Sequence, residues 1–318
     1  MNKPRILLWL KTPRPYERAL AAAGLGESVE TVHVPIDTPP PQHVLENIDA
    51  MLAWRATPNA LARMPKLKWI QALTAGVEDW LGRPDLREDV ALTCARGVHR
   101  VAMPENILAA LFHLTKPYVA AAFDQRERTW TRQVSEPLAG KTLGILGLGT
   151  IGQELAKKAS ALELEVIGTK TKPVALPHVA KVYPAQATDE VLARSDFVLL
   201  LLPATAKTEN LMNADRFRAM RPTAYLLNFA RGSLVVDDDL VDAVRNRTIA
   251  GAVLDVFRQE PLPPNHPFWV TEGITVLPHI GGLHPARDEI VAELFVDNVR
   301  RFLAGKPLRA LVDRRRGY

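Results

Sequence analysis

The sequence predicts an α/β fold in two domains, the larger built on a doubly wound parallel sheet. Three observations predict it. Short apolar runs of strand length alternate with helix-patterned segments along nearly all of the 318 residues, which is how βαβ units are written. Several runs, 197–202 and 250–256 among them, are apolar without a polar alternation, as strands covered on both faces are. The stretch T-L-G-I-L-G-L-G-T-I-G at 142–152 sets Gly147-x-Gly149-x-x-Gly152 at the junction of an apolar run and an Ala- and Leu-rich helical segment reaching 162.

In chain order, residues 6–10, 29–34, 51–54, 69–73 and 90–94 read as strands, with helical stretches near 16–23 and 43–47. Pro39, Pro40 and Pro41 punctuate the chain before a helix, since proline is tolerated in a first turn. Thr74, Ala75 and Gly76 end the strand 69–73 in a small-residue turn. Its backbone amides suit an anion, and an ordinary turn explains the pattern equally well. Pro104 is expected at the first position of a helix running from Asn106 to about Lys116, which Pro117 kinks or ends. Ile107, Leu108, Leu111, Phe112 and Leu114 cover most of that helix. It is therefore expected to be buried between domains or against a second subunit, with plain core packing as the other account.

The glycine stretch has a specific reading in this strand-to-helix context. Gly147 permits the turn, Gly149 lets backbone approach a pyrophosphate, and Gly152 lets helix and strand pack closely. The pyrophosphate would rest on the free amides opening the helix. Further strands are expected at 165–168, 181–183, 196–202, 225–229, 250–256 and 274–277. In such sheets ligands bind beyond the carboxyl ends of strands, and the residues there are chemically rich. Arg231 follows the fifth run, Asp255 and Glu260 the sixth, and His279 the seventh. A guanidinium is a permanent bidentate ligand for carboxylate. Histidine moves protons near neutral pH, and a nearby carboxylate fixes its tautomer. Asp255 suits a ligand contact or a helix cap.

Composition narrows the class. A hydrophobic content of 47% with 24% charged residues belongs to a globular chain. A net charge of +5 suits small anionic ligands and gives no argument for nucleic acid. Arg314, Arg315 and Arg316 read as a solvated terminus. Cys94 stands alone, which excludes an intramolecular disulfide and a Cys-rich metal site, so no metal is expected and a reducing compartment fits. The apolar run 6–10 is too short for a signal-peptide core, and no run is long enough to span a bilayer. A cytoplasmic protein is expected.

Taken together, these motifs resemble the D-isomer-specific 2-hydroxyacid dehydrogenase family over nearly the whole chain. G-L-G-T-I-G at 147–152 resembles its cofactor turn and L-L-P-A-T-A-K-T at 201–208 its strand-end motif. N-F-A-R-G at 228–232, D-V-F-R-Q-E-P at 255–261 and P-H-I-G-G at 278–282 resemble its catalytic segments. T-A-G-V at 74–77 is similar to its substrate loop, and V-D-R-R-R-G-Y to its chain end. The resemblance implies two Rossmann-like domains, the smaller one flavodoxin-like and discontinuous. The substrate domain would comprise 1–98 with 285–318, and the dinucleotide domain 99–284.

It further implies that a reduced nicotinamide delivers hydride to a 2-oxo acid. His279 would donate the proton, and Glu260 would keep His279 protonated and aimed. Arg231 would bind the substrate carboxylate together with Thr74, Ala75 and Gly76, and Asp255 would hold the nicotinamide carboxamide. Cofactor contacts are expected from Gly147, Gly149, Thr150, Ile151, Gly152, Leu202, Pro203, Thr208, Phe229, Ala230 and Gly281. A homodimer formed through the cofactor domain is implied, which favours an interface role for the 104–117 helix.

One departure concerns the dinucleotide. NAD-preferring members carry an acid at the end of the second cofactor-domain strand. Here the strand runs into Thr169-Lys170-Thr171-Lys172, with no acid between Glu165 and Asp189. NADP(H) preference follows as the expectation, with Thr169 and Lys170 on the 2′-phosphate and NAD(H) still usable. Glyoxylate or hydroxypyruvate is the expected substrate, with Trp54, Arg55, His99 and Trp269 as candidate pocket residues. A formate dehydrogenase on this fold has Gln where Glu260 stands, which argues against that activity. Phosphite dehydrogenases, and corepressors that bind dinucleotide without turnover, remain as alternatives.

Overall fold

A computed structural model describes residues 3–317. The chain divides into two compact units, one holding the described residues up to Val98 and those from His284 onward, the other spanning His99–Leu283.

The first unit begins β1 (Arg5–Trp9), α1 (Arg14–Ala22), β2 (Glu30–Val34), α2 (Gln42–Leu45), β3 (Ala50–Ala53), β4 (Trp69–Ala72), α3 (Glu78–Leu81) and β5 (Ala91–Thr93). All pairings are parallel, in the order β2-β1-β3-β4-β5. That is the flavodoxin-like doubly wound order. Period-two alternation sends successive residues of β1 to opposite faces: Leu7 and Trp9 join one core cluster, Ile6 and Leu8 the other. Because both faces are covered, the run reads as uniformly apolar.

The second unit opens with α4 (Ala102–Thr115) and α5 (Tyr118–Glu127). Pro104 lies third in α4, not first, so the helix starts two residues before the expected place. The substitution of one register for another costs little, because amides of a first turn lack intrahelical partners anyway. Lys116 is extended and Pro117 precedes α5, so the proline does end α4. Only one side of α4 is buried: Ile107 and Leu111 are fully enclosed, whereas Phe112 is exposed. Helix α5 buries no residue, which is why hydrophobic periodicity did not announce it.

There follow β6 (Thr142–Leu146), α6 (Thr150–Ala161), β7 (Glu165–Lys170), β8 (Lys181–Pro184), α7 (Thr188–Arg194), β9 (Phe197–Leu200), α8 (Ala214–Ala219), β10 (Tyr225–Asn228), α9 (Asp237–Arg245), β11 (Gly251–Leu254) and β12 (Ile274–Val276). The parallel sheet runs β12-β11-β10-β9-β6-β7-β8. Its order reverses between β6 and β9, the switch point at which α/β sheets bind ligands. Residues on neighbouring strands are in register there: Leu146 with Leu200, Leu200 with Asn228, Asn228 with Leu254, and Leu254 with Val276. The loops that leave these five residues therefore emerge along one rim.

The chain then returns to the first unit through α10 (Arg287–Leu303). Val291, Phe295 and Val299 are spaced by one helical turn and fully buried, packing with Trp69, Ile6 and Leu8. Phe295 stacks on Trp69 at a centroid distance of 5.8 Å. This packing explains why a C-terminal segment belongs to the N-terminal sheet. Among the described residues no helix is long and apolar enough to cross a membrane.

Candidate active site

The glycine turn leaves β6 at Leu146 and enters α6 at Thr150. Gly147 has φ +109°, a backbone conformation that L side chains rarely adopt, and a Cβ there would lie 2.7 Å from the Leu201 carbonyl oxygen. At Gly152 a Cβ would meet the Gly147 oxygen at 2.8 Å and the Ile145 side chain at 3.3 Å, so close helix–strand packing needs glycine there. At Gly149 a Cβ would meet nothing within 4 Å, so its backbone faces open space. The turn thus has one strained glycine, one packing glycine and one open approach beside the amides that begin α6, which fits a pyrophosphate. Thr150 and Ile151 are the first residues of that helix.

The neighbouring strand ends frame this turn. Leu202 and Pro203 follow β9, and Thr208 folds back to donate to the Pro203 carbonyl at 2.7 Å while accepting from the Thr205 amide at 2.9 Å. Phe229 and Ala230 are buried just after β10. Strand β7 runs two residues beyond the expected end at 168, and Thr169, inside it, is 3% exposed. Lys170 closes the strand, and its ammonium donates to the Leu148 carbonyl at 2.9 Å, which places the charge at the glycine turn. Thr171 and Lys172 are exposed immediately beyond.

Arg231, Glu260 and His279 sit in loops along the same rim. His279 Nδ1 is 2.6 Å from Glu260 Oε2, and Glu260 Oε1 accepts the Phe257 amide at 2.9 Å. Both carboxylate oxygens are thereby engaged, one by backbone and one by imidazole. His279 has φ +53°, a left-handed conformation held by its surroundings. Asp255 does much of the holding: it accepts the Ile280 amide at 2.7 Å and the Gly281 amide at 2.9 Å. The residue is 1% exposed, and burial pushes its carboxyl above the ordinary range while those two amides favour the charged form. Through these two bonds Asp255 fastens the His279 loop. Asn106 of α4 donates to the Gly281 carbonyl at 2.9 Å, and Gly282 packs against the His99 ring.

The Arg231 loop is set by a residue that pattern reading did not single out. Asn228 accepts the Ala230 amide at 3.1 Å and donates to the Arg231 carbonyl at 2.9 Å, closing a tight turn. Gly232 then crosses the backbone of Phe257 and Arg258 so closely that a Cβ would lie 1.9 Å from the Phe257 carbonyl carbon. Arg258 clamps the crossing, donating to the Val235 carbonyl at 2.9 Å and the Ser233 carbonyl at 3.2 Å. The segment bearing Arg231 and the loop bearing Glu260 are therefore one interlocked piece.

In the first unit, Thr74 donates to the Gly76 carbonyl at 2.6 Å. The amides of Ala75 and Gly76 donate to no group among the described residues. Of the pocket candidates, Arg55 pairs with Asp37 at 3.4 Å on the surface, Trp54 is half-exposed, and Trp269 donates to the Pro263 carbonyl at 2.9 Å.

Comparison with known proteins agrees with this arrangement. The family model described as D-isomer specific 2-hydroxyacid dehydrogenase, NAD binding domain, matches residues 108–281. A glyoxylate reductase of Thermofilum pendens is 33% identical, over 99% of this chain and 96% of its own. A D-isomer specific 2-hydroxyacid dehydrogenase from Xanthobacter autotrophicus Py2, solved with NADPH and MES, superposes with a TM-score of 0.88 at 29% identity, covering all of both chains. An NADPH-dependent glyoxylate/hydroxypyruvate reductase from Sinorhizobium meliloti, solved with NADP and sulfate, gives a TM-score of 0.85 at 28% identity, over 99% of this chain and 100% of that one. The chain belongs to the D-isomer specific 2-hydroxyacid dehydrogenases, oxidoreductases that use NAD(P).

Proposed function

We propose that this chain reduces a small 2-oxo acid, glyoxylate or hydroxypyruvate, to the D-2-hydroxy acid, with NADPH preferred over NADH. The observation that carries the proposal is the His279–Glu260 pair at 2.6 Å, on the rim that also bears Arg231 and the glycine turn. Because Nδ1 faces Glu260, Nε2 is the nitrogen that serves the substrate. A bound reduced nicotinamide supplies hydride to C2. As C2 gains those two electrons, the Nε2–H of the imidazolium passes its proton to the carbonyl oxygen, giving the alcohol and a neutral ring. Glu260 fixes the ring orientation and offsets the imidazolium charge. Arg231 holds the carboxylate and draws electron density toward the carbonyl oxygen.

For the cofactor, Gly147, Gly149 and Gly152 shape the pyrophosphate site. Lys170, Thr171 and Lys172 offer the donors that a 2′-phosphate needs, and no acid replaces them. The Xanthobacter and Sinorhizobium proteins were solved with NADPH and NADP, which supports this preference. The reading includes a cytoplasmic homodimer. Phe112, Tyr118, Phe123, Trp130 and Val134 of the second unit are exposed apolar side chains that a second copy would cover.

The test is steady-state kinetics on glyoxylate, hydroxypyruvate, pyruvate and phosphite with each dinucleotide, for the parent protein and for Arg231→Ala and His279→Ala. Turnover of the first two acids with NADPH is expected, falling by about 10²–10⁴ in His279→Ala. Near-parent rates in both variants would refute the assignment of the catalytic groups.

A further inference from the structure

The segment that carries His279 has little regular structure of its own. Past Leu277 its internal backbone bonds are those of the His279 amide to Leu277 and of the Leu283 amide to Ile280. Yet it holds His279 at φ +53°, a conformation that persists only where the surroundings impose it. Those surroundings stand on two sides. On one, Asp255 accepts the amides of Ile280 and Gly281, and a Cβ at Gly281 would lie 2.8 Å from the Phe229 ring. On the other, a Cβ at Gly282 would lie 2.9 Å from the His99 ring. There Asn106 donates from Nδ2 to the Gly281 carbonyl at 2.9 Å, with the Ile280 carbonyl at 3.5 Å. The loop is thus clamped between the ends of β10 and β11 and the start of α4.

The α4 side of the clamp is fixed from below. Asn106 lies in the second turn of α4, and its neighbour Ile107 is fully enclosed, as is Leu111 one turn on. Both belong to the core cluster that contains Leu148 of the glycine turn and Phe229 beside Arg231. Helix α4 also packs on α6, which opens from that turn. Close-packed elements transmit displacement instead of absorbing it. A single rigid helix is therefore tied to the pyrophosphate turn through its buried face and to the His279 loop through one side chain.

We propose that Asn106 is a positioning residue for proton transfer: through the Gly281 carbonyl it sets His279 relative to the dinucleotide site, so that proton donor and hydride donor meet the same carbonyl group. This rests on the reduction proposed above, with His279 as its acid. Asn106 acts through backbone, so its loss alters the alignment of the acid and leaves dinucleotide binding intact.

The experiment compares the full chain with Asn106→Ala, Asn106→Asp and Asn106→Gln. It reads kcat and KM on glyoxylate and hydroxypyruvate, the solvent deuterium isotope effect on kcat, NADPH affinity by fluorescence titration, Tm, and amide exchange of the protein without dinucleotide. Alanine suits a helix interior, so Asn106→Ala should melt close to the parent. Its kcat should fall about tenfold, the cost of one hydrogen bond and a looser acid, with the isotope effect raised and NADPH affinity within about twofold. Asn106→Asp turns a carboxylate oxygen on two carbonyls and should lose more. Asn106→Gln keeps the amide donor and should recover part of the rate. Amides at 280–283 should exchange faster in Asn106→Ala, with those of β6 unchanged.

A kcat within about twofold of the parent in both Asn106→Ala and Asn106→Asp would overturn the proposal. So would a joint loss of kcat, NADPH affinity and Tm at an unchanged isotope effect, because Asn106 would then support α4 as a whole. A parent protein that reduces neither acid would instead overturn the underlying reaction, and the positioning role with it.

Discussion

Replacing Gly232 by alanine is the sharpest probe of how the proposed catalytic groups are held. The glycine does not owe its place to an unusual backbone angle; it is there because two loops cross. A Cβ would stand 1.9 Å from the Phe257 carbonyl carbon and 2.3 Å from the Arg258 amide nitrogen. Ordinary contact begins near 3.4 Å, so the segments must part by about 1.5 Å. They cannot part freely, because Arg258 ties the Ser233 and Val235 carbonyls to its own loop. The displacement falls on Arg231, one residue before the crossing, and on Glu260, three residues after Phe257. A misplacement of about 1 Å in a catalytic constellation costs on the order of 10²-fold in rate. Overpacking of this kind destabilises by about 1–3 kcal/mol. Gly232→Ala should therefore lower kcat/KM for glyoxylate about a hundredfold and reduce Tm by several degrees. The assay is NADPH consumption with a parallel thermal melt. Activity within about threefold of the parent, with an unchanged melt, would show that the crossing does not set the geometry.

Three further outcomes follow from named contacts. Glu260→Gln keeps the shape but replaces a charged acceptor of the His279 proton with a neutral amide, so kcat should fall by about 10²-fold while NADPH affinity is retained; a loss confined to cofactor binding would contradict this. Lys170→Glu combined with Lys172→Glu should reverse the cofactor preference, raising KM for NADPH far more than for NADH; equal changes for both would remove the 2′-phosphate assignment. Asp255→Asn turns one oxygen into a donor facing a backbone donor, either Ile280 or Gly281, and should cost about 1–3 kcal/mol of stability and loosen the His279 loop. Urea unfolding reads the first effect and kcat the second, and an unchanged midpoint would count against the role given to Asp255.

Much of this molecule was legible one residue at a time. The buried strands announced themselves because parallel sheets covered on both faces demand uninterrupted apolar runs, and β1, β9 and β11 have them. The glycine turn was legible because its spacing, between an apolar run and a helical segment, is itself the signal; Gly147 and Gly152 answer steric demands, while Gly149 leaves an open approach. That Arg231, Glu260 and His279 fall in loops after β10, β11 and β12 was legible because the apolar runs stop before them, and the family resemblance joined the three. Helix α5 was not legible, since nothing in it is buried and amphipathic spacing is the signal of burial. The reach of β7 was also missed: Thr169 and Lys170 are polar, and it is pairing with Tyr183 and Pro184, and of Thr169 with Leu146, that keeps them in the strand.

What the sequence by itself determined was the set of local demands: apolar runs, glycine spacings and reactive side chains at the ends of strands. Only the tertiary structure decided which distant backbone each loop must meet. Gly232 is required by Phe257, 25 positions along the chain, Asp255 is spent on amides at 280 and 281, and Asn106 reaches the carbonyl of Gly281. The physical reason is that hydrophobic periodicity records burial of a segment against something, whereas the partner across a crossing or a hydrogen bond is set by sheet order and register.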